Sequence, residues 1–540
     1  MTEQKVQRIT LEKSTIPFDQ FYQLSDKDKA YQGGDPRLKP FFRYEPQLSN
    51  FEKVIQDKKR QDIDRGLLYD VLQAQYTQFN VSQETKHNIE LIKQDNTFTL
   101  ITAHQPSLFT GPLYYIYKIC SVIHLAKQLN AAYPTYHFLP LFISGAEDHD
   151  FEEISKARIY GKDLLWNNDE GGPVGQLSTS TLNHVIEELF DVLGDNEFAE
   201  RLKRIFNESY QNFDHYGVAV QNLVNELFKK FGLIVLNMSD PKLKRAFIPI
   251  MKKEIFESAS IGPVSQTVEA LEKAGFSQQA HIREINFFYL GKGFRKRIVK
   301  ENGKFQIVDS NISFTEAALH DEIEKHPERF SPNVIMRPVY QEFTLPNLAY
   351  IGGGGELAYW LERKSQFDLF KVNYPMLIRR NSVLWIEQAS RSKMEKLGLD
   401  IQDLLQHPHD LVKLFLNRNA EVEINLENEK KEFSALFEQL KSKAMSVDKS
   451  LEGKVAADQA NLIKSLDKIE QRLKKAEKNK HEVGLRQLSK LQDKLFPTES
   501  LQERKDNFIP FYLKHGEAFF EYLVEELNPL EKEFIVISEG

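Results

Sequence analysis

Two short apolar runs, "FTLITA" ending at Ala103 and "YHFLPLFISG" ending at Gly145, are bounded by turn residues and predict strands. Between them, apolar residues recur at helical spacing over residues 112–129 and predict a helix. Strand, helix and strand in that order form the βαβ unit of a parallel sheet. "GLIVLN", from Gly232, repeats the pattern of an apolar strand closed by a polar turn, here Met238, Ser239, Asp240 and Pro241. Ligands of such sheets bind outside the carboxyl ends of the strands. The clusters "HQPSLFTGP" and "AEDHDFEE" sit at those ends, so they are expected to be neighbours in space.

The same patterning divides the chain. Residues 1–95 carry apolar positions at helical spacing and read as a helical lead-in; 96–158 form the first part of the core. Residues 159–230 read as an insertion, with the loop "NNDEGGPVGQ" and the helical run "LNHVIEELFDVL". The core continues over 231–253. A second insertion, 254–330, contains a small antiparallel element with turns at 291–293 and at Asn302-Gly303. Core sequence returns over 331–417 with "NVIMRPVYQEFTLPNLAYIGGGGELAYWLE". Over 418–500, Leu462, Leu466, Ile469, Leu473, Ala476 and Val483 keep a spacing of three and four, and Leu488, Leu491 and Leu495 resume it. This predicts a coiled coil, with Phe433, Leu436, Leu440, Val447 and Leu451 on an antiparallel partner helix. A hairpin cannot bury both faces by itself, so a second copy of the chain is expected there. Residues 501–540 read as a segment packing on the core.

Three clusters are candidates for chemistry. A helix starting near Pro112, capped by Thr110 or Gly111, would favour an anion, which His104 and Gln105 could also hydrogen-bond; a capped helix with a satisfied histidine is the equal alternative. Tyr115 and Lys118 follow on the first turns of that helix. The motif is neither a Walker loop nor the three-glycine dinucleotide fingerprint. In "AEDHDFEE", strand alternation would send Asp148 and Asp150 to one side and Glu147 with His149 to the other. Such a cluster could orient an amine, act as a base or hold magnesium, or be only a solvated acidic turn; it lacks a diagnostic spacing for zinc. Four successive glycines, from Gly352 through Gly353 and Gly354 to Gly355, suggest a loop where backbone and ligand approach closely, with Glu356 opening a helix and Arg337, Gln341 and Tyr359 nearby. Arg379 and Arg380 could hold phosphate or only end a strand, and Arg504, Lys505 and Asn507 read as a charged surface turn before a terminal helix.

Composition narrows the class. The 540 residues hold 71 basic and 78 acidic side chains, a net charge of −7, a poor match for a nucleic-acid binder. No stretch resembles a signal peptide or a membrane span, and Cys120 is the single cysteine, so a cytoplasmic, reducing location is expected. Cys120 shares the apolar side of its helix with Ile116, Ile119 and Ile123, a packing position.

In order along the chain, "LFTGPLYYIYKI", "EDHDFEE", "RPVYQEFTLPNLAYIGGGGELAYW" and "LQERKDNFIPF" resemble the BshC family, cysteine ligases of bacillithiol biosynthesis. The resemblance implies an α/β fold: a Rossmann-like parallel-sheet core related to nucleotidyl transferases and class I aminoacyl-tRNA synthetases, two inserted subdomains and a C-terminal α-helical coiled coil that mediates homodimerisation. It implies amide formation between cysteine and the amino group of glucosaminyl-malate, with ATP or ADP bound and Mg a possible companion. His104, Gln105, Asp148, His149 and Asp150 would then be catalytic. Thr110, Gly111, Tyr115, Lys118, Arg337, Gln341, Gly352, Gly353, Gly354, Glu356 and Tyr359 would hold substrate. Arg379, Arg380, Arg504, Lys505 and Asn507 would hold the nucleotide. Two rival readings are a synthetase-like nucleotidyltransferase acting on another small amine and a non-catalytic dimeric scaffold.

Overall fold

A computed structural model describes residues 10–419 and 425–540; residues 1–9 of the N-terminal stretch and 420–424 of the expected coiled-coil segment lie outside it. Five strands, β1 (Thr97–His104), β2 (His137–Ser144), β3 (Ile234–Asn237), β4 (Asn347–Gly352) and β5 (Met376–Arg379), pair in parallel in the order β5-β4-β1-β2-β3. Parallel strands are covered on both faces, which explains their near-continuous apolar runs. Ile101, Leu141, Tyr350 and Leu377 enter one apolar cluster, and their neighbours Leu100, Ile351 and Ile378 enter a second on the other face. The chain moves outward from β1 through β2 to β3, then returns to β4 on the other side of β1. That reversal is a topological switch point, and a crevice opens there at the carboxyl ends of β1 and β4.

Helix α1 (Tyr114–Ala132) joins β1 to β2 and buries Cys120. It starts two residues later than the apolar spacing predicts. Phe109, Thr110 and Gly111 have φ of 50°, 68° and 62°, a left-handed run that a helix cannot contain. Thr110 therefore does not cap α1: its hydroxyl is buried and has no partner among the described residues. The Leu113 amide, beside the helix start, is satisfied by the Asp506 carbonyl at 2.7 Å.

The first inserted region adds a hairpin (Lys156–Ile159 with Lys162–Leu165) and three helices, of which Tyr216–Phe228 packs on β3. The second adds an antiparallel sheet built on Phe287–Gly291, Phe294–Glu301 and Lys304–Ile307. Its second turn has positive φ at both Asn302 and Gly303, the two-residue geometry whose twist matches the strands. Residues Ser500–Ile537 return to the unit that holds Lys13–Trp385.

Residues Ile386–Glu499 form a separate unit with short terminal pieces. The division falls at Ile386 and not near residue 417, because helix Gln388–Leu397 packs against Glu482–Leu495. Helices Glu427–Val447 and Glu452–Lys480 run antiparallel, tied by Lys430 to Glu470 at 2.7 Å and Lys441 to Glu452 at 3.2 Å. Much of the seam expected to face inward stays open: Leu436 is 50% exposed and Ile469 45%. Among the described residues, no helix is long and apolar enough to cross a membrane.

Candidate functional site

At the switch point lies a cavity of about 540 Å³. The end of β1 supplies His104 and Gln105, α1 supplies Tyr114 and Lys118, the turn after β2 supplies Glu147 and Asp148, and the glycine run supplies Gly353, Gly354 and Gly355. Arg295 reaches it from the second inserted sheet, and Arg504 from the C-terminal segment.

One corner is acidic. β2 ends at Ser144, and the chain then turns, so Glu147 and Asp148 both line the cavity while Asp150 faces away and caps helix Phe151–Ile154 through the Glu153 amide. The expected alternation, with Asp148 and Asp150 on one side, fails because these residues are no longer in a strand. Asp148 accepts from the Gln105 amide and from the His149 N–H at 2.7 Å, with Arg295 Nη1 3.6 Å away. Burial raises its carboxyl, but the contacts with His149, Arg295 and Gln105 outweigh burial and hold it below the ordinary carboxylate range. Gln105 Oε1 is buried with no donor among the described residues. Glu153 lines the same corner, and partial burial with the charges of Asp150 and Asp148 raises its carboxyl, although Gln105 opposes this.

His149 is exposed and lies outside the cavity lining; its Nδ1 accepts from Arg295 at 2.9 Å. Arg295 also donates to Ser331 Oγ at 3.1 Å and lies 4.0 Å over the Phe288 ring, which fixes its guanidinium against Asp148. Glu147 is matched by the fully buried Lys244 at 2.7 Å.

Both ring nitrogens of His104 are taken up within the protein. Its Nδ1 faces the Gln105 carbonyl at 3.1 Å, which only accepts, so Nε2 at 2.9 Å accepts the Tyr114 hydroxyl. Burial, reinforced by the Lys118 charge, pushes the imidazole pKa down to about 4, and the ring is neutral near neutral pH.

Lys118 and Glu356 line the cavity but face each other at 2.6 Å. Glu356 also accepts the Gly353 amide at 2.8 Å and the Tyr350 hydroxyl at 2.7 Å. Burial alone would raise its pKa; Lys118 brings it down to about 2. The pair therefore ties the two sides of the crevice together. Gly353, Gly354 and Gly355 line the cavity, whereas Gly352 is buried at the end of β4. A side chain on Gly354 would collide with the Asp28 carboxylate, so that glycine is required by a contact within the protein.

Arginines also line the cavity. Arg337 donates to Tyr359 at 2.8 Å and to Gln341 at 3.3 Å. Arg380 binds Glu503 through both Nη atoms, at 3.0 and 2.8 Å, and leaves its buried Nε–H without a partner among the described residues.

Several residues expected here stand elsewhere. Arg379 is buried against Asp28 at 3.0 Å, and Asn507 donates to the Phe109 and Gly111 carbonyls. Thr110, Gly111, Tyr115, Gln341 and Lys505 do not line the cavity. Sequence reasoning passed over Tyr114, Arg295 and the Lys244 that pairs with Glu147, and it placed Glu153 in the acidic cluster without a role of its own. Lys244 follows the polar turn after "GLIVLN", and Glu153 ends "AEDHDFEE", so both carried a signal; Arg295 carried none that spacing reveals.

The carboxylates do not fit a divalent ion. Glu147, Asp148 and Glu356 each have a cation beside them, and no group of three metal-ligating side chains occurs among the described residues.

Residues 11–381 match the family model described as "Bacillithiol biosynthesis BshC, N-terminal Rossmann-like domain", and residues 383–539 match its "C-terminal coiled-coil domain". A Flavobacterium johnsoniae protein named "Putative cysteine ligase BshC" is 42% identical over 93% of this chain and 95% of its own length. Proteins of the same name from Flavobacterium psychrophilum (40% identical, 94% and 96% covered) and Cytophaga hutchinsonii (32% identical, 92% and 94% covered) are also similar.

Proposed function

Because the chain belongs to the BshC family of bacillithiol biosynthesis, we propose that it joins the carboxyl group of cysteine to the amino group of glucosaminyl-malate, forming an amide. The observation that carries this reading is that one cavity brings together carboxylates suited to an amine, Asp148 and Glu153, and arginines suited to anions, Arg337, Arg380 and Arg504. Gln105 Oε1 and Asp148 hold the acceptor amine. Asp148 is too weak a base to take its proton, since its ionised form is already stabilised. Glu153, whose carboxyl is raised, takes that proton as nitrogen attacks. Tyr114, which donates to the neutral His104, borders the same space.

An unactivated carboxylate does not form an amide in water, and ATP, when bound, supplies the activation. The unpartnered Arg380 Nε–H beside Gly353 suits one of its phosphate oxygens. The test is a reconstituted assay with cysteine, ATP and glucosaminyl-malate, the product read by mass spectrometry. Asp148→Asn is expected to raise KM for the amine about tenfold or more, the effect of weakening one charge-assisted hydrogen bond. An unchanged KM would remove the acidic corner from the site.

A homodimer is part of the same proposal, because the open seam of the coiled-coil unit exposes apolar residues at regular spacing. Leu436→Glu with Leu473→Glu is expected to convert a dimer to a monomer in sedimentation velocity. A wild-type chain that sediments as a monomer would refute the pairing.

A further inference from the structure

Most cations at the cavity, and Lys244 just behind its lining, already have a carboxylate. Lys118 faces Glu356, Lys244 faces Glu147, Arg295 faces Asp148 and Arg380 faces Glu503. Arg337 and Arg504 differ. Arg337 touches only neutral groups, the Tyr359 hydroxyl and the Gln341 amide oxygen, and its guanidinium lies 5.9 Å from the centre of the Tyr350 ring. Two of its five N–H groups are thereby occupied, and the fork is held in place with the rest open. The Arg504 backbone amide donates to the Leu501 carbonyl at 2.9 Å, but its guanidinium makes no hydrogen bond or ion pair among the described residues, and it lines the cavity.

These two cations come from different elements, the start of helix Arg337–Thr344 and the C-terminal segment, and they line one cavity. We infer that Arg337 and Arg504 read a dicarboxylate, each pairing with one carboxylate of the same ligand. Two planar forks on separate elements match two separated carboxylates better than the clustered oxygens of a single phosphate. The inference rests on the reading that the acceptor carries a malate group, and it adds the residues that select that group.

The test measures binding of L-malate, inorganic phosphate and ADP by calorimetry, with no cysteine present, to the full chain and to Arg337→Gln, Arg337→Lys and Arg504→Gln. Malate affinity is expected to fall about tenfold in each glutamine variant and about a hundredfold in the double variant, with phosphate and ADP unchanged. Arg337→Lys keeps the charge but loses the fork, so an intermediate loss is expected. Arg504 is exposed, so its variant does not put folding at stake. Malate that fails to bind the wild type, equal malate affinity across the variants, or a phosphate loss as large as the malate loss would each overturn the inference. A wild type that binds malate through these arginines yet makes no amide would sink the proposed reaction alone. Amide formation with an unaltered KM for glucosaminyl-malate in both glutamine variants would sink this inference alone.

Discussion

Glu503→Leu destabilises the protein by about 3–5 kcal/mol, the cost of leaving a buried charge without its partner. Glu503 is fully buried and accepts from both Nη atoms of Arg380, from Ser382 Oγ at 2.9 Å and from the Val383 amide at 3.0 Å. Removing it strands Arg380, itself buried, and leaves two further donors unpaired. Arg380→Met combined with Glu503→Leu is expected to recover a large part of the loss, because it removes the orphaned cation. Urea midpoints of the three variants measure this, and a Glu503→Leu midpoint equal to wild type would show that the pair contributes nothing. The pH dependence follows by sign. Burial raises the Glu503 carboxyl, but Arg380 and Arg379 outweigh it and depress its pKa below that of the unfolded chain. Its stabilisation is therefore complete above the ordinary glutamate range and is lost as pH falls through the depressed value. In Glu503→Leu that acid limb is absent.

Glu153→Gln is expected to lower kcat by roughly a hundredfold or more, the contribution of a general base, with a smaller change in KM. The base must be ionised to act, and the Glu153 carboxyl is raised. Wild-type kcat should therefore fall as pH drops through a value above the ordinary glutamate range, and the variant should lose that limb. His104, at about 4, is neutral throughout this window and adds no limb of its own. A Glu153→Gln enzyme with the wild-type profile would assign the proton to another group.

The parallel core was legible because strands buried on both faces announce themselves as apolar runs, and their polar ends mark where ligands bind. Gln105 and Asp148 were found that way and the glycine run by its conformational cost, and Gln105, Asp148 and Gly353 to Gly355 share one cavity. What escaped depends on contacts that spacing does not encode. Arg295 meets His149 across 146 positions of sequence, brought there by an inserted sheet. The left-handed backbone over residues 109–111 delayed α1 and turned Tyr114, in place of Thr110, toward the site. Charge pairing was equally hidden: Lys118 and Glu356 look like ligand-binding groups in a sequence and neutralise each other in the fold.

The Asn507 amide that secures the Phe109 and Gly111 carbonyls spans 398 and 396 positions of the chain. On the ribosome, the loop beside the cavity is made early and its clasp among the last segments, so the nascent chain carries an unfinished pocket for most of its translation. A fragment ending before this clasp, even one that retains every strand of the parallel sheet, would emerge with those carbonyls and Arg380 unmet and would be a substrate for quality-control proteases rather than a smaller working enzyme.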